Sequence, residues 1–400
     1  MKTYERKKLK PLRSNPENIR KQITAKSMSI DQPAIHSLKT HLMKTKIILL
    51  FMFLLVSCAA SAQNKEEADK LVGNGITFHD KGDYEKALLI YDNALELDQD
   101  NLMALAEKAY TLLAMEKYDE AISYCKTAIE KHPGEEDLKS VYVTYGNALD
   151  NSNKTVSALE VYDEGIKSFP EFYLLYFNKG ITLSGLERYE ESLQYFQKSV
   201  MLNPRHPGSH NAIARISRIK NMRIPALLAY CRFFVLEPEG GRARENLASV
   251  QEIMNGSAKQ TGKNAITISI DPGMLKDTTE DGAHIENCFT TTDLLLSLSS
   301  ALDYDKKNKK NSDVEQFVRK FETVCATMKE TQKDNFGFYW EYYVPYFVEM
   351  NDKNYLETFA YLLFASSDDA GVSKWLKTHE TELKEFYTWS KGFEWKTGGE

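Results

Sequence analysis

Small and aromatic residues recur along the first half of the chain at a nearly fixed interval. One column of small residues has spacings of 34, 37, 34 and 34: Ala87, Ala121, Ala158, Ser192, Ala226. A second small column lies twelve residues earlier, and a mostly aromatic column lies four residues later: Gly75, Ala109, Gly146, Gly180, Ala214, and Tyr91, Cys125, Tyr162, Phe196, Tyr230. Proline, which cannot continue a helix, closes four units: Pro133, Pro170, Pro204, Pro238. The pattern predicts five units of two antiparallel helices that cross closely at their small residues.

These units resemble the tetratricopeptide repeat, with boundaries at 68–101, 102–135, 139–172, 173–206 and 207–240. The fit is weakest in the fifth unit, where His210 and Ser217 replace larger apolar residues and Phe233 replaces a small one. The resemblance implies an all-α fold, a right-handed superhelical solenoid with a concave groove, followed by a mainly helical C-terminal domain.

The resemblance also implies which side chains face the groove. The strongest candidates for partner contact are Tyr110, Asn147, Phe177, Arg215 and Arg218. Such a groove would run from apolar to basic and would suit a protein or peptide partner with an acidic end. Some members of this family bind chaperone C-termini through a carboxylate clamp. We do not expect a clamp here, because only Asn147 and Arg215 occupy the repeat positions that it uses. For the apolar candidates, packing between neighbouring helices is the alternative.

The second half of the chain lacks a clear repeat. A capping helix is expected over 241–255, a loop region with a short strand at Ile266–Ile270 over 256–292, and a helical domain over 293–395. Ser312 and Glu315 form a capping-box pattern, and Pro345 is expected to kink its helix. Trp340, Tyr343 and Phe347 follow helical spacing, which favours core packing. Tyr339 and Tyr342 would face elsewhere, as candidates for an exposed surface on which a sugar ring could stack.

The N-terminal region is basic and then apolar. Residues 1–42 carry ten Lys or Arg against three Asp or Glu, and a ten-residue apolar run follows at Ile47–Val56. This run is too short to span a bilayer, which needs about 20 residues. With the small residues behind it, it predicts a signal peptide over 43–62. Residues 1–42 are either a long basic leader or the product of a misassigned start before Met43.

Two cleavage positions remain open. The sequence LVSC, ending at Cys58, resembles the bacterial lipobox, which implies acylation of Cys58 and a lipid anchor in the membrane. The alternative is ordinary cleavage before Gln63. Either way, we expect an exported protein, periplasmic or an outer-membrane-associated lipoprotein. The chain has a net charge of −6, and residues 1–57 contribute +9, so the remainder carries −15. Such an acidic product argues against nucleic acid as a partner.

No catalytic, metal-binding or cofactor-binding constellation is recognisable in the sequence. His379 lacks the second histidine of a zinc helix, and no phosphate loop, dinucleotide fingerprint or nucleophile elbow is present. The main hypothesis is therefore a non-enzymatic scaffold or adaptor in the bacterial cell envelope. The alternatives are a glycan-binding surface lipoprotein of nutrient uptake, or an enzyme with a site in the C-terminal half, for which a deep polar cleft around residues 271–292 would be the first support.

Overall fold

The first half of the chain folds as five consecutive helix pairs. The computed structural model describes residues 32–256, 258–262, 265–268 and 284–396. The pairs are α1 (Gln32–His79) with α2 (Tyr84–Leu97), α3 (Leu102–Ala114) with α4 (Tyr118–Lys131), α5 (Leu138–Asn151) with α6 (Thr155–Ser168), α7 (Tyr173–Gly185) with α8 (Tyr189–Leu202), and α9 (Pro207–Ile219) with α10 (Arg223–Leu236). The prediction of an all-α solenoid is confirmed.

The small residues lie where the two helices of a pair cross. Ala121 and Ala158 are fully buried, as are Ala87, Ser192 and Ala226. A Cβ atom added to Gly146 would lie 2.2 Å from the ring of Tyr162, and one added to Gly180 would lie 2.7 Å from the ring of Phe196. Real Cβ atoms do not approach other atoms so closely, so the glycine and the ring fit only as a pair.

The turn between the two helices of each pair also recurs in all five repeats. Its residue with positive φ, between 56° and 78°, recurs at the ladder spacing: Gly82, Glu116, Asn153, Glu187, Asn221. The turn places three backbone hydrogen bonds around this residue. Around Glu116 they run from Met115 N to Thr111 O, from Glu116 N to Leu113 O and from Lys117 N to Leu112 O.

Buried lysines join successive repeats. Lys108 on α3 pairs with Asp92 on α2, and Lys179 on α7 pairs with Asp163 on α6; in both pairs the lysine is buried and the carboxylate is exposed. Lys108 Nζ also donates to Tyr124 Oη at 2.6 Å, and Lys179 Nζ lies 4.6 Å from the ring centre of Tyr195. The burial of each charge is therefore compensated by a carboxylate and an aromatic ring.

The repeats are followed by one further helix, a hairpin and a set of shorter helices. These are α11 (Gly241–Asn255), β1 (Ala258–Gly262), β2 (Ala265–Ile268), α12 (Thr290–Ala301), a 3₁₀ turn (Leu302–Tyr304), α13 (Asp313–Thr331), a second 3₁₀ turn (Gln332–Asp334), α14 (Phe338–Tyr342), α15 (Val344–Asp352), α16 (Leu356–Leu363), α17 (Ala370–Thr378) and α18 (Glu380–Gly392). The two strands pair antiparallel; the sequence pattern indicated only the second.

Local signals in the C-terminal half act as the sequence predicts. Ser312 and Glu315 form both hydrogen bonds of a capping box at the start of α13. Pro345 lies in the first turn of α15, directly after the break that ends α14. The turn between α15 and α16 places Asn354 at a φ of 60°, and its three backbone hydrogen bonds have the same spacing as those around Glu116. This hairpin therefore has the turn of the repeats without their small-residue columns.

The last repeats, α11 and the C-terminal helices share one hydrophobic core. His210 and Ser217, which depart from the repeat pattern, lie at this junction. His210 Nδ1 accepts from the Tyr343 hydroxyl at 2.7 Å, and the Ser217 and Tyr339 hydroxyls are 2.8 Å apart. Tyr339 and Tyr342 are both buried, as is Trp340, so none of the three offers the exposed ring that sugar stacking needs.

The N-terminal part of α1 lies outside this core. The helix runs without a break through the segment predicted as a signal peptide and into the first repeat. Ile47 to Leu50 are exposed, and the first buried hydrophobic residue among the described side chains is Ala68. Among the described residues, no helix combines the length and hydropathy needed to span a membrane. Residues 1–31 of the leader and the side chain of Cys58 lie outside the described residues.

Candidate functional site

The first helices of the five repeats present the side chains that the sequence predicts for partner contact. Tyr110 is 50% exposed, and its ring stacks on His79 at 5.0 Å. Met103 and Ile181 are exposed to a similar extent. These three residues leave apolar surface open on α3 and α7. We call the exposed surface of α1, α3, α5, α7 and α9 the first-helix face.

Two of the predicted contact residues already have partners inside the protein. Asn147 is partly buried, and its Oδ1 accepts a hydrogen bond from the Tyr162 hydroxyl at 2.6 Å. Phe177 packs against His206 at 4.7 Å and against Phe196 at 5.7 Å. Their role in partner contact stays a prediction, because each would have to contact a ligand while keeping these interactions.

Arg215 and Arg218 are brought together in a cleft between α9 and α11. The cleft has a volume of about 500 Å³, and its lining includes Asn211, Arg242 and Glu245. A spacing of three residues places both arginines on one side of α9. Asn246 Nδ2 on α11 donates to Asn211 Oδ1 at 3.0 Å, and this buried bond holds the two helices together. We call this space the basic cleft.

The cations of the basic cleft differ in how well they are neutralised. Arg218 donates to Ser249 Oγ at 2.8 Å and forms an ion pair with Glu252 at 2.5 Å. Arg242 forms an ion pair with Glu237. Arg215 is exposed, and no hydrogen bond or ion pair joins it to any residue in the described part of the chain. It is therefore the cation available to a ligand.

Tyr230 is the functional candidate that sequence reasoning missed. It is only 1% exposed, yet it lines the basic cleft. Its place in the aromatic column of the repeat indicated helix packing, and nothing in the sequence indicated that it also borders an open space. Arg242 and Asn246 were missed for a similar reason, since the segment 241–255 was assigned only a capping role.

Burial and nearby positive charge lower the pKa of two histidines, His206 and His210. His206 is partly buried, and its Nδ1 lies 2.7 Å from Ser209 Oγ. Burial, and then the charge of Arg242, lower the pKa of His206 to about 4. Burial and the charge of Arg232 lower the pKa of His210 well below its ordinary value. Both histidines are therefore neutral at pH 7.

The opposite end of the solenoid is acidic. A cleft of about 570 Å³ is lined by acidic residues and a few others: Asp69, Asp98, Asp100, Glu135, Asp137, with Lys65, Asn101, Leu102, Met103 and His132. Asn101 caps α3 and donates to Asp69 Oδ1 at 2.8 Å. Within the described residues, no group of histidine, cysteine and carboxylate side chains has the arrangement to hold a metal ion.

The C-terminal half contains a smaller cleft next to the segment considered for an enzymatic site. It measures about 180 Å³, and His284, Cys288 and Trp340 lie in its wall. The Trp340 ring stacks on Phe289 at 4.3 Å, and its Nε1 donates to Cys288 O at 2.9 Å. Residues 271–283, most of that segment, lie outside the described residues.

Family models match two parts of the solenoid. One model described as a tetratricopeptide repeat matches residues 78–143, and a second matches residues 173–206. The helix pairs within these two ranges match the tetratricopeptide repeat. The models cover the second half of repeat 1, repeat 2, the start of repeat 3, and repeat 4. The fifth repeat, which adjoins the basic cleft, lies outside both matches.

Known proteins resemble the repeat region rather than the whole chain. The Protein STIP1 homolog of Dictyostelium discoideum is 36% identical over 90 residues, 22% of this chain and 16% of that protein. The Hsp70-Hsp90 organizing protein of Triticum aestivum is 24% identical over 229 residues, 56% of this chain and 38% of that protein. The solved structure of Pseudomonas aeruginosa PilF superposes with a TM-score of 0.41 and 21% identity, covering 47% of this chain and 88% of that one. This chain thus spans well under half of the curated relatives it matches.

Proposed function

We propose that this protein is a non-enzymatic scaffold, exported to the bacterial cell envelope, that binds a protein or peptide partner on the first-helix face. The observation that carries the proposal is the basic cleft, where Arg215 lacks a partner within the described residues. Exposed apolar residues on the same face, Tyr110 and Ile181, offer further contact area. A partner with an apolar segment and an acidic end would fit both features.

Repeat proteins in the comparison support a binding role. The Triticum aestivum relative is named an Hsp70-Hsp90 organizing protein, and its similarity to this chain covers the repeat region. We propose the same general activity here, recognition of another protein, without extending those partners to this chain. Export and a lipid anchor at Cys58 are supported by the basic, apolar and small-residue segments that precede the repeats.

A charge reversal tests the binding surface. We expect Arg215→Glu to lower recovery of envelope partners at least tenfold in quantitative affinity capture, because the carboxylate repels an acidic ligand. The matched control is Arg244→Glu, which changes the same charge at an exposed arginine of α11 outside the cleft. Equal recovery with wild type and Arg215→Glu would exclude the basic cleft as the binding surface.

A separate measurement tests the location. Mass spectrometry of the mature protein should find an N-terminal Cys58 that carries acyl chains, and Cys58→Ala should move the protein from the membrane fraction to the soluble fraction. A mature chain that begins at Gln63 would contradict the anchor and leave an exported protein without one.

A further inference from the structure

The third and fifth repeats each place a tyrosine and a polar residue at equivalent positions, but only in the third does this residue give the tyrosine hydroxyl a hydrogen-bond acceptor. In the third repeat, Tyr162 and Asn147 are fifteen residues apart, and the tyrosine hydroxyl donates to the amide oxygen at 2.6 Å. In the fifth repeat the same spacing separates Tyr230 and Arg215. Asparagine offers a hydrogen-bond acceptor, whereas arginine offers only donors. The fifth repeat therefore lacks the acceptor that satisfies the hydroxyl in the third.

The Tyr230 hydroxyl accordingly has no hydrogen-bond partner within the described residues. The side chain is 99% buried, at 1% exposure, but it borders the basic cleft together with Arg215. The Tyr230 ring is also placed differently from the Tyr162 ring. In the third repeat Gly146 faces the tyrosine ring, whereas Ala214 occupies that position in the fifth repeat. A Cβ atom at Gly146 would lie 2.2 Å from the Tyr162 ring, so the Tyr230 ring cannot take the corresponding position over Ala214. Two donors that have no partner in the described part of the chain thus border one cleft.

The charge of the cleft selects the kind of acceptor. Arg218 and Arg242 already pair with Glu252 and Glu237, so Arg215 is the guanidinium of the cleft without a partner among the described residues. Glu245 adds a carboxylate to the lining, which disfavours a dianion such as a phosphate monoester. A single carboxylate matches one guanidinium and one neutral hydroxyl, and charge-assisted hydrogen bonds of this type are strong.

We propose that the basic cleft contains a carboxylate subsite, in which Arg215 and the Tyr230 hydroxyl both donate to an Asp or Glu side chain of a partner peptide. The subsite deepens the proposed function, on which it rests, by naming the chemical group that the partner inserts. The remaining volume of the cleft accommodates the residues next to that carboxylate.

Two tyrosine variants separate the subsite from the fold. Isothermal titration would use a capped glutamate-rich peptide, its glutamine counterpart and inorganic phosphate. We expect saturable binding of the glutamate peptide alone, and a loss of about tenfold in affinity for Tyr230→Phe, equivalent to about 1.4 kcal/mol. The control Tyr162→Phe removes the corresponding hydroxyl in the third repeat, so it should lower the melting temperature and leave peptide affinity unchanged.

A third variant reproduces the third repeat in the fifth. Arg215→Asn supplies the missing acceptor, so it should keep or raise the melting temperature while peptide affinity falls at least tenfold. The subsite is contradicted if Tyr230→Phe binds the glutamate peptide like wild type, or if phosphate binds more tightly than the peptide.

The two proposals can fail separately. If Arg215→Glu abolishes partner capture while Tyr230→Phe retains it fully, the cleft binds a partner but the hydroxyl has no part in it. If neither variant changes partner capture, the basic cleft is not the binding surface, and both proposals fail.

Discussion

The second helices of the first and fifth repeats differ sharply in how much of each is buried. In α2, only Ala87, Tyr91 and Ala94 are buried, along one stripe. In α10, twelve of the fourteen residues are buried, from Ile224 to Val235. The stripe of α2 is what a solenoid needs, since each repeat covers only its neighbours. The enclosed α10 has a second set of neighbours, the C-terminal helices. The fifth repeat therefore packs against both the solenoid and the C-terminal helices.

The junctions between repeats differ in the same way. Repeats 1 and 2, and repeats 3 and 4, are joined by a buried lysine and an exposed aspartate. The corresponding positions between repeats 4 and 5 hold Gln197 and Ile213. The fifth repeat keeps other polar contacts with the fourth, such as the Lys220–Glu190 ion pair. It adds buried contacts to the C-terminal helices through His210, Ser217 and Arg232. Residues that weaken the match to the repeat are therefore the residues that attach the rest of the chain.

Arg232 provides the strongest test of this difference. It is 2% exposed, lies 4.9 Å from the ring centre of Tyr346 and 4.7 Å from that of Trp395, and donates to Ser390 Oγ at 3.0 Å. Arg232→Ala removes a large buried side chain that packs against two rings, so we expect a loss of about 3 kcal/mol in the free energy of unfolding, measured in urea.

The control for Arg232 is an arginine of similar size on the surface. Arg188→Ala breaks an exposed ion pair with Glu191, and such pairs add little to stability because solvent screens them. Limited proteolysis should show faster cleavage within the C-terminal helices of Arg232→Ala than of Arg188→Ala. Equal stability of the two variants would mean that the aromatic contacts of Arg232 do not hold the two regions together.

Acid should weaken the junction between the fourth and fifth repeats. A histidine whose folded pKa is lowered takes up its proton more readily when unfolded, so its contribution is complete above about pH 6.5 and is lost as the pH falls toward the folded pKa. With a folded pKa of about 4, His206 should lower the free energy of unfolding by about 1 kcal/mol at pH 5, because solvent screens part of the shift of this partly exposed ring. The burial of His210 acts in the same direction.

Urea unfolding at a series of pH values checks this dependence. The slope of unfolding free energy between pH 6.5 and 5 should be shallower in His206→Gln and in His210→Gln than in wild type. Each variant is compared with its own value at pH 7, which separates the titration from any loss of packing. A wild-type protein that is equally stable at pH 7 and pH 5 would contradict the prediction.

The sequence predicts the first half of this fold well, because each repeat repeats the same local solution. The pairing of Gly146 with Tyr162 can be inferred from the repeat pattern alone, because a small residue on one helix lies opposite a large residue on the other at the crossing. The attachment of the C-terminal half cannot be inferred in this way. His210 and Tyr343 are 133 residues apart, and neither belongs to a column whose spacing would relate them.

The candidate site shows the same division. Arg215 and Arg218 follow from their positions on a first helix, which the repeat specifies. The role of Tyr230 does not follow, because its residue type suits the packing column equally well. Only the folded chain shows that its neighbour α11 is separated from α9 by an open cleft and that the hydroxyl borders this space.

A comparison of two glycines in one helix tests the crossings of the regular repeats. A Cβ atom on Gly75 would lie 2.3 Å from Tyr91 Cε1, whereas one on Gly73, in the same helix, would meet nothing within 4 Å. We expect Gly75→Ala to lower the unfolding free energy by about 1–3 kcal/mol, since overpacking displaces the ring. Gly73→Ala should raise it by about 0.5–1 kcal/mol, because alanine favours the helix.

The second repeat indicates how to reverse the damage. There Ala109 and Cys125 occupy the positions of Gly75 and Tyr91, and both are fully buried. The double variant Gly75→Ala with Tyr91→Cys copies this pair, so the two losses should be less than additive. Thermal unfolding of the two single variants and the double variant measures the coupling. If the losses simply add, the crossing is not a matched pair, and the small-residue column reflects helix spacing alone rather than fit to the opposing ring.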